Sequence, residues 1–545
     1  MVIMLTIFAA ALRAQDVGTK DLLDGLGNPS RWLTYSGDYT GQRFSPLAEI
    51  TPDNVDRLAA QWTFQTGVNT KFEATPIVID GVMYVTGGAA TGMAGMIQHA
   101  WAVDARTAKQ IWHYQRTLPE GLKVCCGLVN RGFAVLHDRL FFVTLDAHFV
   151  ALDRKTGKVI YDVEMAAVRD GFAGTGAPLV VNNKVIVGIA GGEYANRGFI
   201  DAYDPMTGDR LWRFYTIPAP GERGSETWHV QGGAPGDLWQ RGGAPTWLSG
   251  TYDPTLNLLY WGTGNPNPDW NSEVRPGDNL YADSLLALDP DTGTLKWHFQ
   301  FTPHDTHDWD ANEIPVLADL TVNGRARKVV MMANRNGFFY VLDRATGEFL
   351  LARPFVNTTW STEIDKKGKP IALPGHEPTE AGTVTCPDWY GGTNFMSPSF
   401  DPTRGLFFVT ARETCARFLS RPASITGVLG DRTMGGTVQM VADPPRAGAL
   451  RALDAGTGER KWEIRYADAG WAGVLATAGG IVFSGDHDGN FFAANSQTGQ
   501  KLFQYQTGAQ IFGPPTTYAI DGRQFVVIPS GATLTAFALP KRPTS

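Results

Sequence analysis

One phrase of eleven residues returns along most of the chain and limits the folds that the chain can adopt. Its form is A-x-D-x-x-T-G-x-x-x-W with variations, and its copies begin at Ala102, Ala151, Ala202, Ala287, Val341, Ala452 and Ala493. The period is about 50 residues, apart from two longer intervals. A period of this length indicates repeated units that stack on one another, not a set of independent domains.

Each copy of the phrase predicts a β-hairpin. A short apolar strand ends at the A-x-D, where Asp can accept hydrogen bonds from the turn and Gly supplies a positive φ. The next strand carries an aromatic side chain in most copies, at Trp112, Tyr161, Trp212, Trp297, Trp462 and Phe503. Four strands per unit around an axis form a β-propeller. We predict an all-β chain with one eight-bladed β-propeller over residues 15–545, closed by the segment around Gln61–Phe64; seven blades is the alternative.

The N-terminus is an apolar run, Val2–Leu12, that is too short to span a bilayer. Small and polar residues follow it, which is typical of a signal peptide before its cleavage site. We predict a signal peptide over residues 1–14 and export to the periplasm, the alternative being an apolar N-terminus that is retained. No later apolar run reaches membrane-spanning length, so the mature protein is expected to be soluble, without a membrane span.

The amino-acid composition and net charge restrict the kinds of partner that are expected. Hydrophobic residues make up 43% of the chain and charged residues 19%, which is typical of a folded globular protein. The formal net charge is −7, so nucleic acid is not expected as the main partner, whereas a basic protein would suit the surface. Repeats alone predict only a stable scaffold, so function has to come from residues that interrupt them.

The cysteines are the first residues that do not belong to the repeated phrase. Cys125 and Cys126 are adjacent in a chain with four cysteines. On the residues alone they could form a disulfide between neighbours, remain two buried thiols, or bind a metal, although no second Cys/His cluster lies nearby. Cys386 and Cys415 lie 29 residues apart and could close a second disulfide. Disulfides would agree with export to an oxidising compartment.

The segment from Thr302 to Glu313 concentrates carboxylates among aromatic residues. In extended backbone, residues i and i+2 share a face, so Asp308 and Asp310 can point at one spot. Two carboxylates this close repel each other unless a cation holds them or one takes a proton. A hard cation with oxygen ligands is the chemical interpretation, and a solvated acidic loop is the alternative.

Further polar residues stand at predicted strand ends. Glu193 and Asn265 could complete an oxygen-ligand site for a cation, although both types are also common in turns. Arg335 and Asn394 occupy similar turns, and Arg131 follows the cysteine pair; inward-facing arginines would suit a ligand rich in carboxylates. The chain has no G-x-S-x-G, Walker or G-x-G-x-x-G motif, and no C-x-x-C-H for covalent haem.

Together these features resemble the pyrroloquinoline quinone (PQQ)-dependent methanol and ethanol dehydrogenase family over nearly the whole mature chain. The resemblance is carried by WLTYSGDYTGQRFSPLAEIT, FEATPIVIDGVMYV, VNRGFAVLHDRLFFVTLDA and GFIDAYDPMTGDRLWRFYTIP, besides the Cys-Cys pair. In that family the repeated phrase is a tryptophan-docking motif, and PQQ lies on the propeller axis between a vicinal disulfide and a Trp. The resemblance therefore implies a Cys125–Cys126 disulfide and PQQ as cofactor.

The resemblance also assigns individual residues by motif position. Trp247 would form the floor beneath PQQ and Trp471 a further wall. Contacts to the cofactor would come from Glu73, Arg131, Thr144, Gly191, Gly192, Arg335 and Asn394. Pro245 stands where many relatives carry a Thr that bonds a PQQ carboxylate, so either Thr246 replaces that contact or the contact is lost. The metal would lie among Glu193, Asn265, Asp308 and Asp310.

The implied reaction is oxidation of a small, primary alcohol to an aldehyde. The metal would act as a Lewis acid, Asp308 as the general base, and PQQ as the hydride acceptor. Electrons would pass to an external acceptor, and a soluble cytochrome c is expected, since a basic cytochrome suits the −7 charge. A homodimer is the default expectation from the relatives.

Asp310 bears on the identity of the metal. Members of the family that use calcium usually carry a small residue two positions after the catalytic Asp, whereas lanthanide-using members resemble this chain. Three carboxylates, from Glu193, Asp308 and Asp310, match a trivalent ion better than Ca²⁺. We predict one lanthanide ion, with Ca²⁺ as the alternative.

Three rival interpretations remain. A non-catalytic propeller scaffold would share the repeated phrase but would need neither the Cys-Cys pair nor Asp308. A membrane-tethered PQQ sugar dehydrogenase fits poorly, because the chain lacks N-terminal membrane helices. A degenerate enzyme would keep the fold without the cofactor. Long insertions at about 215–285 and 355–450 are expected to cover the substrate funnel.

Overall fold

The computed structural model describes residues 16–68, 70–90, 95–229, 238–422 and 429–541. The predicted signal peptide, residues 1–14, lies outside the described residues. Regular structure in the described residues is almost entirely β, with one short α-helix at Thr19–Asp24. Across these ranges, no helix combines the length and apolar character needed to cross a membrane.

Within the described residues, eight sheets contain four or five strands each. In hydrogen-bonded order their strands are Arg31–Trp32, Ile77–Ile79, Val82–Ala90, Met96–Asp104 and Gln110–Thr117; Val159–Glu164, His148–Asp153, Arg139–Val143 and Ala134–Leu136; Leu179–Val181, Lys184–Gly188, Phe199–Tyr203 and Arg210–Tyr215; Thr251–Asp253, Leu258–Gly262, Ser284–Leu288 and Leu295–Gln300; Val316–Val322, Arg325–Ala333, Phe338–Asp343 and Phe349–Pro354; Ser399–Asp401, Leu406–Glu413, Ala447–Asp454 and Arg460–Tyr466; Phe44–Ser45, Leu475–Thr477, Ile481–Gly485, Asn490–Asn495 and Lys501–Gln506; and Ala59–Gln65, Thr533–Ala538, Arg523–Ser530 and Thr516–Ile520.

Two smaller sheets lie in the second long insertion. Their strands are Ser361–Ile364 and Pro370–Ala372, and Thr383–Thr385, Ala416–Ser420 and Gly436–Met440. The last of the eight larger sheets joins the two ends of the chain, because Ala59–Gln65 pairs antiparallel with Thr533–Ala538. This pairing agrees with the prediction that the segment around Gln61–Phe64 completes the final unit.

The repeat turns take the conformation that their sequence predicts. In the second copy, Asp153 Oδ1 accepts hydrogen bonds from the backbone N–H groups of Lys155 and Thr156, at 3.1 and 2.8 Å, and from the Thr156 hydroxyl at 2.7 Å. Gly157 then adopts φ +70°, which an L-residue adopts only with strain. The turn is thus fixed by a few neighbouring residues.

The aromatic residue of one copy contacts the turn of the next. The Trp112 indole N–H donates to the Arg154 carbonyl at 3.0 Å, and its ring lies so close to Gly157 that an added Cβ would sit 2.7 Å away. Trp212 and Trp462 make the equivalent hydrogen bonds, each at 3.1 Å, to Pro290 and Ser496. These hydrogen bonds tie consecutive sheets together at three of the repeats.

The hydrophobic core is divided among the interfaces between consecutive sheets. Phe149 stacks on Tyr203 with ring centroids 4.6 Å apart, and Phe491 stacks on Phe537 at 4.8 Å. The sheets bury apolar residues from successive strands on both faces, which fixes their relative positions. Loops at the strand ends are consequently held on a rigid framework.

Candidate active site

Loops from most of the sheets line a cavity of about 520 Å³. Most of the residues that the sequence singled out are on its wall. These are Glu73, Cys125, Cys126, Arg131, Gly191, Glu193, Trp247, Asn265, Asp308, Asp310, Arg335, Asn394 and Trp471. Residues of both long insertions contribute to the wall, among them Trp270 and Met434. A space lined by aromatic rings and several ionisable groups is typical of a ligand site.

Both predicted disulfides are present. Cys125 is bonded to Cys126, and Cys386 to Cys415. A carboxylate oxygen of Glu193 lies within 4.8 Å of the two sulfurs of the Cys125–Cys126 pair. Because these sulfurs are bonded to each other, they offer no thiolate to a metal, and the alternatives of free thiols or a thiolate metal site are wrong.

An ion pair and a tryptophan ring form one side of the cavity. Arg131 donates to Glu73 at 2.6 Å, and both side chains are buried. Burial raises the pKa of Glu73, against the lowering effect of Arg131 and Lys71. The Arg131 guanidinium also lies 4.9 Å from the Trp247 ring centroid, within cation–π range. The Arg131 guanidinium is therefore held against the Trp247 ring, which was predicted to lie beneath the cofactor.

Asp310 is fixed by hydrogen bonds to both carboxylate oxygens. The Asn265 backbone N–H donates to Oδ1 at 2.7 Å, the Trp247 indole N–H donates to Oδ2 at 3.0 Å, and Arg335 also donates to Oδ2. A Cβ on Gly264 would lie 2.3 Å from Oδ1, so glycine at that position leaves room for the carboxylate. Asp310 thereby connects the Trp247 ring to the Asn265 turn.

Asp308 lies on the wall beside Arg335 and is partly exposed to the cavity. Its backbone adopts φ +63°, an uncommon conformation for a residue with a side chain. Arg335 lies 3.7 Å from its Oδ2. Burial raises the pKa of Asp308 well above its usual range, Arg335 lowers it, and Asp310, Asp269 and Glu193 raise it further. The carboxylate is available to a ligand in the cavity.

The Asp305 carboxylate stabilises the turn that carries Asp308. The Asp305 carboxylate accepts the backbone N–H groups of His307 and Trp309, at 3.1 and 3.0 Å. His307 stacks on the Trp309 ring at 4.3 Å, and the Trp309 indole N–H donates to the Asp388 carbonyl. These residues position the segment and do not line the cavity.

Glu193 lies in a single helical turn, Gly192–Tyr194, after Gly191 at φ +117°. Its Oε2 is buried and accepts no hydrogen bond from the described residues. Burial raises the pKa of Glu193, and nearby Asp310 adds to the rise, while Arg432 and Arg335 lower it. A buried carboxylate oxygen without a donor is costly unless a ligand or a proton satisfies it.

Three predicted residues do not reach the wall of the cavity, namely Thr144, Gly192 and Thr246. The Thr246 hydroxyl donates to the Phe199 carbonyl at 2.5 Å and accepts the Ile189 N–H at 2.9 Å, so its hydrogen bonds are used by the backbone of the neighbouring sheet. The Thr144 hydroxyl accepts the His148 N–H at 3.1 Å. Gly192 lies against Pro245, where an added Cβ would be 2.7 Å from the ring.

Two buried carboxylates beside the cavity were not predicted from the sequence. Asp269 and Asp283 are fully buried; the Asp283 carboxylate accepts no hydrogen bond from the described residues, and the Asn265 side chain partly stabilises the charged form of Asp269. Burial raises the pKa of each well above its usual range. The sequence could have indicated Asp269 as a candidate site residue, because it follows the predicted ligand Asn265 by four residues and stands between Pro268 and Trp270. The wall residues Arg432, Met434 and Val438 carried no motif.

Comparisons with known proteins agree with this geometry. A model of the PQQ family, described as glucose/ethanol/alcohol dehydrogenase, beta-propeller domain, matches residues 32–353 and 464–526. The quinoprotein alcohol dehydrogenase PedH of Pseudomonas putida is 38% identical over 557 residues, which cover 97% of this chain and 91% of that protein.

The chain belongs to the PQQ-dependent alcohol dehydrogenase family. The lanthanide-dependent methanol dehydrogenase of Methylacidiphilum fumariolicum is a further relative, 36% identical over 92% of this chain and 85% of that protein. The solved structure of a europium-containing methanol dehydrogenase matches with a TM-score of 0.88 and 33% identity, over 96% of this chain and all of that one (100%). The resemblance predicted from the sequence is confirmed, and the fold is the β-propeller domain of this family.

The cavity of this PQQ-dependent alcohol dehydrogenase suits a flat, acidic cofactor. The Trp247 ring and the Cys125–Cys126 disulfide offer apolar surfaces. Lys71, Arg131, Arg335 and Arg432 all line the same space and can pair with carboxylates. Oxygen donors from Glu193, Asn265, Asp308 and Asp310 share the wall and suit a hard cation.

Proposed function

We propose that the protein oxidises a primary alcohol to an aldehyde with PQQ and one metal ion, using Asp308 as the general base. The observation that carries this proposal is the shared cavity, whose wall includes the vicinal disulfide, the Trp247 ring and the Asp308 carboxylate. Arg131, Arg335 and Trp247 would hold PQQ, which would supply the hydride acceptor, and the metal would supply a Lewis acid. The eight larger sheets would be the blades of an eight-bladed propeller, docked by Trp112 and its equivalents.

Asp308 would take the hydroxyl proton of the alcohol onto its carboxylate. It must be ionised to do so, and burial opposes ionisation. Arg335, 3.7 Å away, favours the ionised form, and a cation beside the carboxylate would favour it further. The Asp308 side chain keeps 15% of its surface exposed, so the proton can pass from Oδ2 to water in the cavity.

We propose a lanthanide ion in preference to Ca²⁺. Glu193 offers an unpartnered oxygen, Asp308 a partly exposed carboxylate, and Asn265 an amide oxygen. Asp310 accepts three hydrogen bonds, and since a carboxylate offers about four acceptor sites, one is left for a cation. Three carboxylates balance a trivalent ion, and a lanthanide-dependent relative supports the choice.

The substrate side of the cavity is aromatic and apolar. Trp270, Trp389, Met434 and Val438 line it. Such a wall would bind the hydrocarbon part of an alcohol by burial of apolar surface. We propose a small primary alcohol as the substrate.

The remaining proposals concern partners and location. A soluble cytochrome c is proposed as the electron acceptor, because the chain has no C-x-x-C-H motif and a net charge of −7, which suits a basic partner. Export to the periplasm is supported by the two disulfides, which persist in an oxidising compartment. A homodimer is proposed from the resemblance alone.

A reconstituted dye-reduction assay tests the proposal. The metal-free protein receives PQQ with either La³⁺ or Ca²⁺ and then a series of primary alcohols, with Asp308→Asn as the matched control. We expect activity with La³⁺, little with Ca²⁺, and none above background in the variant. Activity with Ca²⁺ alone would overturn the lanthanide proposal, and silence with both metals would overturn the enzymatic one.

A further inference from the structure

Residues 429–436, which belong to the second long insertion, form a strap along the wall of the cavity. The strap leads into the strand Gly436–Met440 and contributes Arg432 and Met434 to the wall. The repeated phrase does not include these residues, so contacts with other loops determine where the strap lies. Those contacts therefore decide which side chains the strap can present to a ligand.

Hydrogen bonds fix the strap at Met434 and at the residue before it. The Thr433 N–H donates to the Glu193 carbonyl at 2.9 Å, and the Thr433 carbonyl accepts the Asn267 side-chain amide at 2.7 Å. The Met434 carbonyl accepts the Trp270 N–H at 2.8 Å. The strap is thus joined to two loops that carry candidate metal ligands, and the backbone of Met434 has a fixed position.

Two glycines bring the strap into close contact with its neighbours. Gly435 adopts φ +67°, and an added Cβ there would lie 2.7 Å from the Asn271 Cβ. An added Cβ on Gly436 would lie 2.0 Å from the Leu419 carbonyl oxygen. Side chains at these two positions would push the strap away from both neighbours. Met434, which precedes the glycines, is consequently held against the same loop as Asn271.

The Met434 side chain belongs to an apolar cluster at the wall of the cavity. Trp270, Ala416 and Phe418 are buried in this cluster, and the half-buried Met434 and Trp389 pack against it. Trp270, Trp389 and Met434 also line the cavity, so one face of the cluster is open to a ligand. Such a face binds a hydrocarbon chain by burial of apolar surface.

The apolar cluster adjoins the proposed general base. The Trp389 carbonyl accepts a hydrogen bond from Arg335, whose guanidinium lies 3.7 Å from Asp308 Oδ2. Asp308, Trp270 and Met434 line the same cavity. An alcohol whose hydroxyl is at Asp308 can therefore extend its hydrocarbon chain along Trp389 towards Trp270 and Met434.

We propose that Met434 is a specificity-determining residue that limits the length of the alcohol. The inference rests on the proposed function and specifies its substrate class, which is short, linear primary alcohols. The backbone of Met434 is held by its neighbours, so the strap does not withdraw to admit a longer chain. Methionine is unbranched and adaptable, so the limit is gradual, and each added carbon lowers kcat/KM without abolishing it.

Chain-length profiles of the holoenzyme test the proposal. The parent and its variants are loaded with PQQ and the metal that supports activity, and dye reduction is measured with linear primary alcohols from ethanol to 1-octanol. Met434→Ala shortens the side chain and Met434→Phe enlarges it. Met440→Ala is the matched control, because Met440 lies in the strand that follows the strap, is 43% exposed, and is not among the described wall residues.

The decisive quantity is the ratio of kcat/KM for 1-octanol to kcat/KM for ethanol. We expect Met434→Ala to raise this ratio by about tenfold or more, because a single methylene group in an apolar pocket already changes kcat/KM by about that factor. Met434→Phe should lower the ratio, and Met440→Ala should leave it unchanged. A loss of folded protein or of metal would change both alcohols equally and would cancel in the ratio.

The outcomes separate the two levels of the argument. If the parent oxidises no alcohol with either La³⁺ or Ca²⁺, the proposed function is wrong, and the inference falls with it. If the parent is active and both Met434 variants keep its chain-length profile, Met434 does not determine specificity. An equal change in Met440→Ala would also overturn the proposal. Should Met434→Ala fail to fold by circular dichroism, Met434→Val is measured in the same way, and an unchanged ratio overturns the proposal.

Discussion

The aspartates of the repeat turns and those around the cavity are chemically identical but differ in their surroundings. Asp153 accepts three hydrogen bonds from its own turn, which together hold its pKa below the usual value despite partial burial. Asp283 accepts none and, like Asp269, is fully buried. Local sequence satisfies the first kind, so it contributes to folding. The second kind favours the protonated form, because burial raises the pKa of both side chains.

The strongest test of this difference is to remove the Asp308 carboxylate, which lines the cavity. Asp308→Asn keeps the shape of the side chain but cannot accept the hydroxyl proton. We expect kcat/KM in the dye-linked assay to fall by about 10³-fold, within the range typical of general bases. Asp153→Asn in a repeat turn should leave kcat/KM unchanged. Residual activity above one tenth of the parent would mean that another group accepts the proton.

Asp310 belongs to both classes, because it is hydrogen-bonded and also lines the cavity. Asp310→Ala removes the acceptor for Asn265, Trp247 and Arg335 and one carboxylate from the ion. We expect La³⁺-dependent activity to fall by about 100-fold, as for the loss of a group that positions a metal. The measurement is a La³⁺ titration of dye-reduction rates. Unchanged lanthanide-dependent activity would remove Asp310 from the metal site.

The repeats could be predicted from the sequence because their determinants are local. Asp153, Thr156 and Gly157 fix their turn within five residues, and Trp112 contacts the next copy of the same phrase. No comparable rule determines which side of a loop a side chain faces. The sequence left open whether Thr246 contacts the cofactor or that contact is lost, and in the structure its hydroxyl donates to the Phe199 carbonyl.

The candidate site could be predicted only where residues carried a motif. The cysteine pair and Asp308 have characteristic neighbours in sequence, and the structure places them on one wall. Asp269 and Asp283 lie in one long loop, between the strands Leu258–Gly262 and Ser284–Leu288, and meet the other carboxylates only through the tertiary fold. The buried Arg275 donates to backbone carbonyls and to Asn279 instead of to their carboxylates, and no sequence pattern encodes that direction.

A repeat turn can also be broken by adding a single carbon atom. Gly157→Ala places a methyl group in a backbone conformation that costs an L-residue about 1–2 kcal/mol. The new Cβ would also lie 2.7 Å from the Trp112 ring, and overpacking adds about 1–3 kcal/mol. We expect a lower denaturant midpoint with kcat/KM unchanged per folded molecule. A loss of activity without a loss of stability would contradict the division between the two regions.

The two classes predict opposite dependences of stability on pH in the metal-free protein. Burial raises the pKa of both Asp269 and Asp283 well above the ordinary value of 3.8. A raised pKa contributes stability that is fully present below the unfolded value, near 4, and is lost as pH rises through the folded value. Asp153, with a lowered pKa, contributes stability that is lost only as pH falls below about 4.

We therefore expect the Tm of the EDTA-treated protein to rise as pH is lowered from 8 towards 5. Asp283→Asn should flatten this rise, because it removes one buried group that prefers to be protonated. Asp153→Asn should leave the rise intact. Differential scanning fluorimetry across the range measures all three proteins, and a Tm that falls as pH is lowered would show that the buried carboxylates are already neutralised by groups of the chain.

The smallest effect is expected in the first copy of the phrase, where Ala108 replaces the usual glycine. Ala108 adopts φ +61°, the same left-handed conformation as Gly157 at +70°. Ala108→Gly should relieve about 1–2 kcal/mol of backbone strain and return about 0.4–1 kcal/mol through the greater freedom of the unfolded chain. The net gain in unfolding free energy should therefore be about 0.5 kcal/mol, measured as a small rise in denaturant midpoint. A loss of stability would mean that the Ala108 methyl contributes more to packing beside Trp62 than its backbone costs, and that this turn has been repacked around alanine.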